Sequence, residues 1–235
     1  HLLALARQVL DIEADALRYP NVTVQIDRAK RVATFTVKAP SGAQPGDIAA
    51  IEAAGAGWYP LALARELEDA ILSMRTNELE IGTWLVKTEG NDAAVLAMDA
   101  TLLAHRDHWL VRETIGLLRR TFSRLDVSSR SLFALIEPGS CFAGTLAELA
   151  FAADRAYMLA LPDDAARAPK LTLGEMNFGP LPLVNDQTRL QRPVALKVLT
   201  PPPTSEEAVA FEPQCGQMRW GCFGSWQFGQ VRATT

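Results

Sequence analysis

The sequence predicts an α/β fold in which one sheet carries parallel strands. Short apolar segments alternate along the chain with helical segments of about 15–25 residues, which is the order expected of βαβ units. Hydrophobic residues make up 49% of the 235 residues, as in ordinary folded domains. A chain of this length can bury one substantial core.

The N-terminal part is predicted to form a helix followed by a hairpin. Apolar residues recur at helical spacing over residues 1–18, and Tyr19-Pro20 ends that pattern. Strict alternation over residues 22–27 and 31–37, with a short polar link between them, predicts two antiparallel strands. The following stretch, 39–57, is rich in Ala, Gly and Pro, and we expect a loop there with a helical turn near 47–54.

The central part is predicted to alternate between helices and strands. Helices are expected at 61–75, 101–124 and 146–153, and strands at 81–87, 132–136 and 155–159. The apolar run 93–98 is interpreted as another strand or a strand-to-loop segment.

The C-terminal part differs in composition from the rest. Prolines and glycines recur after about residue 192 without helical or strand periodicity, and they predict no regular element. We therefore divide the chain into a domain at 1–190 and an irregular Pro/Gly-rich tail at 191–235.

Composition excludes several classes of function. The formal net charge is −4 without a cluster of Lys and Arg, which argues against nucleic-acid binding. No apolar stretch reaches the roughly 18–20 residues of a membrane span. Three cysteines make no paired framework and no zinc spacing, so we expect free thiols, no metal, and a cytoplasmic protein.

One candidate site lies where a predicted strand passes through a glycine-containing turn into a helix. The segment Gly139-Ser-Cys-Phe-Ala-Gly144-Thr-Leu-Ala-Glu148 places backbone N–H groups at a helix start, which suits a developing oxyanion. Glu148 is expected in the first turn among apolar neighbours. The alternative is a glutamate that only complements the helix dipole.

A second acid stands alone in an apolar loop. Glu175 is the sole charged residue between Lys170 and Asp186. Such an acid must be solvated, paired or catalytic, and an exposed loop glutamate is the simpler interpretation. If the fold brings Glu148 and Glu175 together, the two could act as general acid and base.

Three segments resemble the crotonase (enoyl-CoA hydratase/isomerase) superfamily in the same order. They are IGTWLVKTEGNDAAVLAMDATLL, SLFALIEPGSCFAGTLAELAFAADRAYML and LGEMNFGPLPLVNDQTRL. The resemblance covers about residues 22–190. It implies a crotonase-like spiral of ββα units.

Carried over residue by residue, the resemblance also implies a site. The backbone N–H groups of Leu96 and Thr145 would form an oxyanion hole for a thioester carbonyl. Glu148 and Glu175 would be the two active-site acids, and Gly144 and Cys141 would line the pocket.

The resemblance further implies a reaction. The expected substrate is an acyl-CoA, with no cofactor beyond the CoA it carries, and the chain is expected to form a homo-oligomer. The implied activity is a lyase that opens the ring of a dihydrodiol or epoxide of benzoyl-CoA, giving an aliphatic CoA semialdehyde and formate. The alternatives are hydration or isomerisation of an enoyl-CoA, and a truncated domain without catalysis.

Overall fold

The fold is built on a sheet that is antiparallel at one side and parallel at the other. The computed structural model describes residues 11–162, 164, 166–192 and 194–199. Within them the strands are β1 (Asp11–Glu13), β2 (Ala16–Arg18), β3 (Val22–Asp27), β4 (Val32–Lys38), β5 (Thr83–Glu89), β6 (Ser131–Ile136), β7 (Phe142–Ala143), β8 (Arg155–Leu159), β9 (Leu171–Thr172) and β10 (Leu196–Leu199). The main sheet has the order β1-β2-β3-β4-β5-β6-β8-β10, and β7 and β9 form a separate parallel pair.

Helices connect the parallel strands, as they must, because neighbouring parallel strands require a crossover. The helices are α1 (Ile48–Ala54), α2 (Tyr59–Asn77), α3 (Asp92–Ala104), α4 (Trp109–Asp126) and α5 (Gly144–Ala152). Helices α1 and α2 join β4 to β5, α3 and α4 join β5 to β6, and α5 precedes β8. The predicted α/β class is confirmed. No helix among the described residues has the length and apolarity needed to cross a bilayer.

The main core lies between the helices and one face of the sheet. Alternation along β4 and β5 buries Phe35 and Trp84, whose rings lie 5.0 Å apart. On the other face, Val32, Leu85 and Leu135 form a small separate cluster. Two-sided burial of the inner strands is typical of parallel sheets.

The helix predicted over residues 1–18 is wrong for 11–18, while residues 1–10 lie outside the described part. Residues 11–18 form β1 and β2, and β2 pairs with β3 through Leu17 opposite Val24. Pairing with the hairpin buries Leu17, so tertiary contacts override the local helical pattern.

The strand predicted at 93–98 is also wrong, because these residues lie within α3. The Asn91 side chain caps this helix by accepting a hydrogen bond from the Ala93 N–H at 2.8 Å. Ala, Leu and Met are strong helix formers, and an apolar run cannot distinguish a buried helix from a strand. The helix predicted at 101–124 is divided in two at His105–His108.

The hairpin, the turn near 47–54, and the other predicted helices and strands are confirmed with small shifts at their ends. The sheet, however, continues past residue 190. Strand β10 pairs in parallel with β8, so the first part of the segment predicted to be irregular is ordered. The remainder of that segment, residues 200–235, lies outside the described residues.

Candidate active site

The three segments that carry the resemblance meet at the start of α5. Gly144 has a φ of +43°, and a methyl group placed on it would lie 2.0 Å from Asp99 Oδ2. A methyl group on Gly174 would lie 3.1 Å from Leu96 Cδ2 and 3.5 Å from Gly144 Cα. Glycine at both positions therefore allows α3, α5 and the loop before Glu175 to approach closely.

Glu148 is buried, and both of its carboxylate oxygens are hydrogen-bonded. It lies one position beyond the first turn of α5, with 1% of its surface exposed. Oε1 accepts from Asn177 Nδ2 at 2.6 Å, and Oε2 pairs with Arg189 Nη1 at 3.0 Å. Burial raises the pKa of Glu148, while the Asn177 hydrogen bond and the Arg189 charge oppose that shift.

Arg189 connects Glu148 to a second carboxylate. Its side chain is fully buried, and Nη2 donates to Asp126 Oδ2 at 2.7 Å. Nη1 also donates to the Leu181 carbonyl at 3.1 Å, and the guanidinium lies 5.8 Å from the centre of the Phe122 ring. We call Glu148, Arg189 and Asp126 the buried ion triad. It joins α4, α5 and the segment that follows Glu175.

Asn177 holds the turn that carries Glu175 against α5. Its Oδ1 accepts from the Gly174 N–H at 2.9 Å, and its Nδ2 donates to the Gly144 carbonyl at 2.9 Å. Glu175 opens this short 3₁₀ turn, Glu175–Phe178, and is exposed. The structure thus brings the two predicted acids onto adjacent elements, with Glu148 inside the protein and Glu175 at its surface.

A third acid, Asp99, occupies the helix start itself. It is 3% exposed, and its Oδ2 accepts from the Thr145 N–H at 2.8 Å. Its Oδ1 lies 2.5 Å from Thr145 Oγ1. Burial raises the pKa of Asp99 to about 7, against the two Thr145 hydrogen bonds and with a smaller contribution from the charge of Glu148.

Leu96 and Thr145, the two predicted oxyanion donors, both lie in helices. Leu96 is the fifth residue of α3, beyond the first turn, where backbone N–H groups bond within the helix. Its donor role, which was based on a strand-to-loop segment, stays a prediction. The amide of Thr145 is at the expected helix start but donates to Asp99.

Cys141 is a buried free thiol just before β7. Its N–H donates to Thr88 Oγ1 at 2.9 Å. Burial, together with a hydrogen bond and the charge of Asp92, raises the pKa of the thiol to about 12. Cys141 is therefore neutral at physiological pH and suits a lining role rather than a nucleophilic one.

Sequence reasoning missed Asp99, Asn177 and Arg189. Asp99 had a usable signal, since it is the one charged residue from 93 to 104, where the other residues are apolar except for Thr101. Asn177 and Arg189 had none, because only folding places them against Glu148. No group of three or more potential metal ligands occurs in the described part of the chain.

Two solved structures are similar to part of this chain. Human mitochondrial delta3-delta2-enoyl-CoA isomerase is similar over 66% of this chain and 52% of its own, with 13% identity and a TM-score of 0.41. An enoyl-CoA hydratase/isomerase from Xanthobacter autotrophicus Py2 is similar over 60% of this chain and 47% of its own, with 16% identity and a TM-score of 0.42. No family model matches the chain.

A sequence relative is much more similar. Benzoyl-CoA-dihydrodiol lyase from Aromatoleum evansii is 54% identical over 180 residues, which are 76% of this chain. The chain spans about a third of that relative, since the match covers 32% of its length. Over the matched residues the chain is a homologue of this lyase, which confirms the relationship that the sequence motifs predict.

Proposed function

We propose that this chain forms the thioester-binding part of a carbon–carbon lyase that opens the ring of a dihydrodiol or epoxide of benzoyl-CoA. The 54% identity to benzoyl-CoA-dihydrodiol lyase supports the substrate class. The observation that carries the proposal is the attachment of the Glu175 turn to α5 through Asn177, which contacts Glu148 at 2.6 Å. The proposed products are an aliphatic CoA semialdehyde and formate.

The proposed chemistry begins at the thioester carbonyl. The Thr145 N–H would donate a hydrogen bond to its oxygen and stabilise an enolate. The predicted second donor, the Leu96 N–H, would have to leave its bond within α3 to add to this. Loss of a proton from the carbon next to the carbonyl, or attack of water on the following carbon, forms this enolate. Retro-aldol-like cleavage of a carbon–carbon bond then opens the ring, and one ring carbon leaves as formate. The dihydrodiol consumes one water molecule in all, and the epoxide consumes two. Removal of one oxyanion donor typically costs about 2.7–4 kcal/mol of transition-state stabilisation.

The two glutamates differ in what they can do. Glu148 has both oxygens bonded to Asn177 and Arg189, so it can orient groups and tune charge at the site. Glu175 is exposed and has no side-chain hydrogen bond among the described residues, so its carboxylate is available to activate water. We therefore assign the water-activating role to Glu175.

The experiment compares formate release from benzoyl-CoA dihydrodiol or epoxide with hydration of crotonyl-CoA by this chain. Glu175→Gln is expected to reduce formate release by about 10²–10⁴-fold, the usual contribution of a general acid or base. Because Glu175 is exposed, its variant should keep the wild-type Tm. Glu113→Gln, at an exposed position on α4, is the matched control and should retain full activity.

The results separate the alternatives. Turnover of crotonyl-CoA without formate would replace the lyase by a hydratase. Formate release that is unchanged in Glu175→Gln would contradict the assigned role. Absence of turnover and of thioester binding would leave a domain without this activity.

A further inference from the structure

Asp99 has no role in the proposed reaction, yet it holds one of the groups that the reaction needs. The residue projects from α3 and is 3% exposed. Its carboxylate contacts both the amide and the hydroxyl of Thr145, at 2.8 Å and 2.5 Å. An acid buried in an apolar helix is costly unless its hydrogen bonds compensate for the lost water.

The start of α5 explains why this carboxylate is held there. The residue before the helix is Ala143, which has no side chain able to cap it. The first N–H groups of a helix lack partners within the helix and favour an anion. Asp99 supplies the missing acceptor from another helix, and Gly144 makes room, since a methyl group there would lie 2.0 Å from Asp99 Oδ2.

The proposed thioester oxygen needs the same donor. The Thr145 N–H donates to Asp99 Oδ2 at 2.8 Å, which is a normal hydrogen-bond distance. It cannot donate an equally good hydrogen bond to the thioester oxygen at the same time. Two acceptors, one internal and one from the substrate, therefore compete for a single N–H.

We infer that Asp99 is an internal competitor for the thioester carbonyl, and that its withdrawal from the Thr145 amide sets the affinity for acyl-CoA. This inference rests on the proposed function. Asp99 in this role controls access to the carbonyl-binding position and is not a catalytic residue.

The surroundings of Asp99 favour its release. Burial holds the pKa of this group at about 7, and the negative charge of Glu148 adds to the effect. The charged form is thus held less firmly than a carboxylate paired with a cation. Among the described residues, the hydrogen bonds that hold the Asp99 carboxylate come from the Thr145 amide and hydroxyl, which are both uncharged groups.

The test measures the Kd of benzoyl-CoA and of free CoA by isothermal titration calorimetry. Asp99→Ala vacates the position, whereas Asp99→Asn keeps its shape and removes its charge. Asp99→Ala is expected to lower the Kd of benzoyl-CoA by about tenfold or more, the range of a hydrogen bond to a charged group. Free CoA has no carbonyl at this position, so its Kd should stay unchanged. Thr101→Ala is the matched control, because Thr101 lies on the same helix and its hydroxyl donates to the Ala97 carbonyl.

The outcomes decide the inference and the proposed function separately. If benzoyl-CoA binds no more tightly to Asp99→Ala than to the wild type, Asp99 is not a competitor, although the proposed function stands. Equal tightening for free CoA, or full tightening in Asp99→Asn, would reduce the effect to charge repulsion and overturn the inference. Failure of the wild type and every variant to bind benzoyl-CoA would overturn both.

A second variant covers the case in which Asp99→Ala does not fold. Thr145→Val removes the hydroxyl that holds Asp99 Oδ1 and keeps the backbone N–H. It should tighten benzoyl-CoA binding in the same direction, and weaker binding would contradict the inference.

Discussion

Replacement of Arg189 by Met tests how far the buried ion triad stabilises the fold. The substitution keeps most of the side-chain volume and removes the guanidinium. It leaves Glu148, Asp126 and the Leu181 carbonyl without a donor that they share in the wild type. Glu148 would then lose its cationic partner, and among the described residues Asp126 would keep only the half-exposed Arg192, 3.6 Å away.

The expected cost follows from burial. Arg189 and Glu148 are 0% and 1% exposed, and the Asp126 side chain is 10% exposed, so water cannot replace the lost bonds. Removal of one partner of a buried pair typically costs about 3–5 kcal/mol. For a chain of this size each kcal/mol lowers the Tm by about 2–4 °C, which gives a decrease of about 6–20 °C.

Urea denaturation at pH 7, followed by circular dichroism, measures this free energy of unfolding. Arg192→Met is the matched control, because Arg192 also faces Asp126, at 3.6 Å, but is 52% exposed. Exposed ion pairs contribute about 0–1 kcal/mol, so the control should change little.

The double variant Arg189→Met/Glu148→Gln adds a sharper condition. Neutralising Glu148 removes the buried charge that Arg189→Met leaves unpaired, so the double variant should be more stable than the sum of the single losses predicts. Equal losses for Arg189→Met and Arg192→Met, or strictly additive losses in the double variant, would refute the reasoning.

Two further predictions concern Asp99. Burial raises the pKa of Asp99 to about 7, so the folded state binds the Asp99 proton more tightly than the unfolded state does. The stability that this gives is fully present below about pH 4 and is lost as the pH rises through about 7. Urea unfolding across this range should show a smaller loss in Asp99→Asn than in the wild type, and an equal loss would contradict the assignment. Gly144→Ala should cost about 1–3 kcal/mol through its positive φ and its contact with Asp99. Gly116→Ala is the control, because Gly116 is exposed on α4 and a methyl group there would have no atom within 4 Å. It should be neutral or stabilise the fold by up to about 1 kcal/mol. Similar effects of Gly144→Ala and Gly116→Ala on stability would contradict the predicted clash.

Sequence periodicity predicted those elements whose faces differ in polarity. Helix α2 and the β3–β4 hairpin each have a buried and an exposed side, and both form where expected. Helix α3 has its apolar residues on all sides, so its pattern matched a strand equally well. The spacing of apolar residues in 11–18 predicted a helix. These residues form strands instead, because β2 pairs with the edge of β3.

The sequence by itself determined the α/β class, the glycine turn before α5 and the isolation of the two glutamates among apolar residues. These properties are local, since they depend on neighbours along the chain. The tertiary structure decided which groups contact the glutamates. Arg189 lies 41 residues after Glu148 and Asp99 lies 46 residues before Thr145. The environment of each buried acid depends on such distant partners, because burial and charge act through space and not along the sequence.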